Sequence, residues 1–150
     1  MKIVDVSFDK SISIESDKVY FDSKKQIVFV WRSNVGKSSL MNAIFNKKDL
    51  VKTSSMPWKT RTANLFKVNN KFHFVDLPGY WFAKMWEIQR QKLDALISWY
   101  LEEFVDDIKK IVVVLDVRQW PTKTDIDMFK FIWNFWIPIL FVLNKVDKLS

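Results

Sequence analysis

The chain has 150 residues, 49% hydrophobic and 27% charged, with a formal net charge of +7 and a pI of about 9.5. That length accommodates one α/β domain with a single core. The absence of cysteine excludes a disulfide framework or a Cys-based metal site. No run of eighteen apolar residues occurs, and MKIVDVSFDK lacks a signal-peptide apolar region, which predicts a cytoplasmic protein without a membrane partner. The positive charge is compatible with an rRNA-rich partner, but Lys-rich surfaces are common and no RNA-binding module is visible.

In chain order, residues 1–25 read as a polar lead-in with room for a strand, and 26–150 as the domain proper. Gln26–Val30 is an apolar strand, and Lys37–Asn46 a helix with Leu40, Met41, Ile44 and Phe45 on one side. Residues 47–62 form a switch-type loop. Ala63–Val68 and Lys71–Asp76 flank Asn69-Asn70 and suit an antiparallel hairpin. Leu93, Leu96, Ile97, Tyr100, Leu101 and Phe104 recur at helical spacing and predict a core-facing amphipathic helix. Ile111–Asp116 reads as a strand buried on both faces, Asp125–Asn134 as a helix and Ile137–Asn144 as a last strand. The alternation predicts an α/β doubly wound, mainly parallel sheet with one antiparallel edge hairpin, ligand loops lying at the strands' carboxyl ends.

Four short motifs fall at those ends. Residues 31–38, WRSNVGKS, differ by one residue from the phosphate-binding pattern G-x-x-x-x-G-K-[ST], with Trp31 in place of the first glycine. In such a loop the backbone of residues 31–36 (Trp31, Arg32, Ser33, Asn34, Val35, Gly36) wraps a phosphate at a helix N-terminus. Lys37 adds fixed positive charge and Ser38 binds Mg²⁺. Asp76-Leu77-Pro78-Gly79 supplies a D-x-x-G element, whose aspartate holds the Mg²⁺ shell and whose glycine N–H meets a γ-phosphate. Between them, Trp58, Lys59 and Thr60 lie in TSSMPWKTRT, with Thr60 placed to close over Mg²⁺ and the γ-phosphate. Asn144-Lys145-Val146-Asp147 gives N-K-x-D, in which Asp147 accepts two hydrogen bonds that guanine offers and adenine cannot. Any one tetrapeptide could arise by chance. Four in this order predict a guanine nucleotide switch.

RSNVGKSSLMNA, KTSSMPWKTRTANLF, FHFVDLPGYWFAK, VRQWPT and IPILFVLNKVDKLS resemble the signature stretches of EngB-type bacterial GTPases, relatives of the Era and TrmE group, over residues 26–150. The resemblance implies a Ras-like P-loop domain using GTP/GDP and Mg²⁺, with Lys37, Thr60 and Asn34 as candidate catalytic residues. It also implies work on the large ribosomal subunit precursor, a link to septation and cell division, and a monomer. Tyr80 stands where Ras-like enzymes orient the attacking water with glutamine, so slow hydrolysis is expected. In relatives of the family an asparagine at the position of Asn34 helps hold a K⁺ ion; an ordinary loop-stabilising role is the alternative. The family continues past N-K-x-D with a strand, a base-cupping loop and a helix. The chain therefore reads as a fragment whose Ile137–Asn144 strand would be an exposed apolar edge.

Where the family pattern has glycine, this chain has Trp31, Trp58, Trp81, Trp120 and Trp136. It contains 8 Trp and only 2 Gly, although about 7% glycine, roughly ten residues, is usual. Some bacterial lineages read UGA as glycine, and another code reads it as tryptophan, so these tryptophans read as mistranslated glycines. Gly36 and Gly79 would survive through other codons. Taken literally, Trp31 and Trp58 predict a nucleotide-incompetent scaffold. Trp86, Trp99 and Trp133 lie in helical stretches and fit either residue. His73 is expected as a strand residue with a satisfied or exposed ring, Arg61 as a phosphate or RNA contact or a solvated switch residue, and Asp116 and Arg118 as non-catalytic strand-end residues.

Overall fold

Among the described residues, six strands form one sheet in the order β1-β3-β4-β2-β5-β6. The computed structural model describes residues 2–15, 24–51, 62–80, 87–119 and 121–149, excepting the side chains of Glu87 and Gln89. The strands are β1 (Val6–Ile12), β2 (Lys25–Trp31), β3 (Ala63–Val68), β4 (Phe72–Asp76), β5 (Ile108–Asp116) and β6 (Ile139–Asn144). The helices are α1 (Lys37–Phe45), α2 (Glu87–Glu103) and α3 (Lys123–Trp133). Trp58, Lys59, Thr60, Arg61, Trp81, Trp86 and Trp120 lie outside the described residues.

β2 pairs in parallel with β4 and β5, and β5 in parallel with β6. The predicted hairpin is β3–β4, whose turn residues Asn69 and Asn70 both have positive φ (50° and 51°), the conformation of a tight type I′ turn. The lead-in contributes β1, antiparallel to β3, with its register shifting between Phe8 and Lys10. Asn69 anchors the approach to β1: its side-chain oxygen accepts from the Val4 and Asp5 N–H groups at 2.8 and 3.0 Å.

β2 is buried on both faces because helices cover both. Phe29 and Phe74 meet on one face, where Phe45 of α1 packs against Phe74 at 5.4 Å. Gln26 points to the other, where its side chain accepts from the Tyr100 hydroxyl of α2 at 2.7 Å. Register places Phe141 on this second face through Val113 and Val30, and Phe129 of α3 packs against it at 5.5 Å. The predicted stripe on α2 is core: Leu93, Leu96, Ile97, Tyr100 and Leu101 are buried, as is Phe104 just beyond. Ile44 is half-exposed, so α1 buries Met41 and Phe45 instead of all four predicted residues.

His73 departs from expectation. Its ring is buried, and both nitrogens lack an aligned hydrogen bond, although Nε2 lies 3.2 Å from Asp9 Oδ2. Burial lowers its pKa, and Asp9 only partly opposes this. The ring is therefore buried, with Asp9 of β1, two strands away in the sheet, as its one polar neighbour among the described ion pairs.

Candidate nucleotide-binding site

The three motifs that lie within the described residues, at 31–38, 76–79 and 144–147, collect at the carboxyl edge of the parallel strands. β2 ends at Trp31, β4 at Asp76, β5 at Asp116 and β6 at Asn144, with Phe29 in register with Asp76 and Asp116 with Asn144. The loop after β2 turns into α1 through Asn34 (φ 68°) and Gly36 (φ 89°). Gly36 precedes the helix in the left-handed region, and a Cβ there would also lie 2.6 Å from Asn144 Nδ2. Glycine is required on both counts.

Lys37 and Asp76 form a buried ion pair through Lys37 Nζ and Asp76 Oδ2. Burial outweighs the pairing for each partner, lowering the pKa of the lysine and pushing that of Asp76 up to about 6. Asp76 Oδ1 and Ser33 Oγ are buried without a hydrogen-bond partner. Such orphaned oxygens are costly unless something else engages them. A second cation beside Asp76 would use Oδ1, so this donor set fits Mg²⁺.

Trp31 does not fit. Its indole Nε1 would lie 2.6 Å from a Cβ on Gly79. The Lys37 ammonium sits 4.0 Å from the ring centroid, a cation–π contact. The side chain therefore fills the space between the D-x-x-G glycine and the phosphate-loop lysine, where a phosphate loop needs bare backbone.

The N-K-x-D segment is fastened to the phosphate loop. Asn144 Nδ2 donates to the Val35 carbonyl at 2.7 Å, and Lys145 Nζ to the Asn34 carbonyl at 2.6 Å. Lys145 also meets Asp116 Oδ2 at 2.9 Å, which Arg118 holds from the other side at 2.7 Å. The Arg118 hydrogen bonds, with help from Lys145, keep Asp116 well below the usual carboxylate range. Asp147 is exposed, at 70% for its side chain, and lies 3.3 Å from Lys148. Its carboxylate is therefore free of the core and open to a base.

Sequence reasoning left Asp116 at the margin, although its place at a strand end matched that of Asp76 and Asn144. It named Arg32 and Tyr80 but missed Asp125, which joins them. Tyr80 is 1% exposed and donates to Asp125 Oδ1 at 2.8 Å, so its hydroxyl is engaged away from any attacking water. Thr122-x-x-Asp125 is a legible helix-capping box, but nothing in the sequence tied it to Tyr80.

A phosphate loop, a D-x-x-G aspartate paired with its lysine and an N-K-x-D loop on one parallel sheet define the GTPase class of P-loop proteins. The family described as 50S ribosome-binding GTPase matches residues 26–145. The chain belongs to that family, on its EngB branch. It is 45% identical to the probable GTP-binding protein EngB of Lactobacillus gasseri, over 100% of this chain and 76% of the relative. It is 44% identical to that of Clostridium kluyveri, over 86% and 65%. The crystal structure of a probable GTP-binding protein engB superposes with a TM-score of 0.69 at 25% identity, over 83% of this chain and 73% of that one. Aquifex aeolicus Era bound to GDP and aluminium fluoride shares the fold, with a TM-score of 0.61 at 22% identity over 82% and 41%.

Proposed function

We propose that this domain is a Mg²⁺-dependent switch that binds GTP and GDP, hydrolyses GTP slowly and acts in the cytoplasm as a monomer on the large ribosomal subunit precursor and its rRNA, in support of septation and cell division. The observation that carries the nucleotide reading is the fastening of Asn144 and Lys145 to the backbone of Val35 and Asn34. It brings a guanine-reading motif alongside a phosphate-reading one. The family's description as 50S ribosome-binding supports the ribosomal part.

Lys37 would hold the β- and γ-phosphates, while Ser38, Asp76 and Thr60 would supply the Mg²⁺ shell. Bound Mg²⁺ would neutralise charge on the phosphate oxygens. Gly79 would offer its N–H to the γ-phosphate, Asp147 would read the base, and Asn34 would ligate K⁺. Lys37→Ala should nearly abolish GTP binding. Thr60→Ala should spare GDP while weakening GTP, since a ligand shifts the switch only by its differential affinity. Co-sedimentation with large subunits should follow GTP; equal sedimentation with GDP removes the switch. Replacing K⁺ with Na⁺ should slow turnover, and an unchanged rate rejects the role for Asn34.

A second reading, a nucleotide-incompetent scaffold, follows from Trp31 and Trp58 read literally, and among the described residues it is favoured by the indole of Trp31 beside Lys37. Against it, Trp136 has φ 56° and is 88% exposed just past α3, a place that suits glycine and gives an indole nothing to pack on. We propose that Trp31, Trp58, Trp81, Trp120 and Trp136 stand where the working protein has glycine. Codons other than UGA at these positions in the gene would reject this. Measuring GTP affinity with the five tryptophans present, and again with glycine at all five, separates switch from scaffold.

A further inference from the structure

Tyr80, the first residue after the D-x-x-G element, is fixed from three directions. Its N–H donates to the Trp31 carbonyl at 2.9 Å, and its own carbonyl accepts from the Ser33 N–H at 3.3 Å. These two bonds zip the D-x-x-G loop onto the start of the phosphate loop, with a parallel bridge between Arg32 and Tyr80. The third attachment is the phenol on Asp125 at 2.8 Å.

Asp125 uses both carboxylate oxygens. Oδ2 closes the cap of α3, accepting from the Thr122 N–H at 3.0 Å and hydroxyl at 2.6 Å. Oδ1 receives Tyr80 and faces Arg32 Nε at 3.4 Å, while Arg32 Nη2 donates to Gln119 at 3.2 Å. Arg32, Tyr80 and Asp125 are all buried. A cap alone needs one oxygen and no burial, so the second oxygen serves another purpose. Among the described residues, Oδ1 accepts a hydrogen bond only from the phenol and meets the guanidinium as an ion pair, Arg32 Nε having no aligned hydrogen bond, so this buried group has little to replace the phenol when it leaves.

We infer that Tyr80 is a positioning residue which, through Asp125 and Arg32, fixes the D-x-x-G loop against the phosphate loop and so sets discrimination between GTP and GDP. This rests on the nucleotide reading above. The physical reason is differential: on that reading the Gly79 N–H meets the γ-phosphate, which GDP lacks, whereas most of the phosphate-loop backbone and N-K-x-D contact parts that GDP and GTP share. Loosening the joint between the two loops therefore weakens GTP and spares GDP.

Tyr80→Phe removes the hydroxyl and keeps the buried ring; Asp125→Asn keeps the cap's acceptor while weakening the charge that Arg32 faces. Each is made in the full chain, with and without Trp31→Gly. Amide hydrogen exchange at Tyr80 and Ser33 in the nucleotide-free proteins should accelerate on the order of tenfold, with Phe66 in β3 unchanged. Affinity for a slowly hydrolysed GTP analogue should fall roughly five- to tenfold, with that for GDP within about twofold. Unchanged exchange, or equal loss of GDP and GTP, overturns the inference. Should neither the unmutated protein nor Trp31→Gly bind nucleotide, the GTPase reading fails, the discrimination fails with it, and exchange still decides whether Tyr80 fixes the two loops.

Discussion

Asp76 and Asp116 end neighbouring parts of one sheet and carry opposite debts to pH. Burial raises the folded pKa of Asp76 from 3.8 to about 6. Between those values the folded state holds a proton that the unfolded chain has released, so stability falls as pH rises. Asp116 is depressed from 3.8 by Arg118 and Lys145. Its contribution is present above pH 3.8 and is lost as pH falls through the folded value. Urea unfolding should show the nucleotide-free protein losing stability relative to Asp76→Asn, whose side chain has no proton to release, as pH rises from 4 to 6. Asp116→Asn should cost about 1.5–3 kcal/mol at neutral pH, the range for hydrogen bonds to charged groups, and nearly nothing at strongly acid pH. A pH-independent difference for either variant contradicts the assigned environment.

Strands and helices were legible where periodicity decides, and blurred where a partner does. Ile111–Asp116 and the α2 stripe are long apolar patterns that any packing would bury. β1 was only hinted at, because VSFDKSI buries just Val6 and Ile12 and owes its pairing to β3. The phosphate loop, D-x-x-G and N-K-x-D were readable because their chemistry fixes local spacing. The link from Tyr80 to Asp125 spans 45 residues and has no local signature. At the end of α3, Trp136 follows the cap with φ 56° and precedes Ile137-Pro138. A left-handed residue with a side chain is strained by roughly 1–2 kcal/mol. Trp136→Gly should therefore raise stability by about 1 kcal/mol in urea unfolding, whereas Trp136→Ala should gain little; equal effects would mean the backbone there is unstrained.

Across the whole molecule, the two sheet edges are unlike. β1 exposes Ser7 and Ser11 beside Phe8, whereas β6 leaves Leu140, Phe141 and Leu143 nearly half exposed (47%, 46% and 47%). An apolar edge of this kind invites pairing between copies. Leu140→Lys should lower concentration-dependent light scattering without moving the unfolding midpoint beyond about 0.5 kcal/mol, the usual range for exposed positions. The bond from Asn144 to Val35 joins residues 109 positions apart. During synthesis at about 5–20 residues per second, the phosphate loop emerges roughly 5–20 s before the segment that latches it. For that interval the nascent chain has Lys37 and, soon after, Asp76, but not the N-K-x-D segment proposed to read the base. On the proposed nucleotide reading, base selectivity would be acquired only when the strand carrying Asn144 docks.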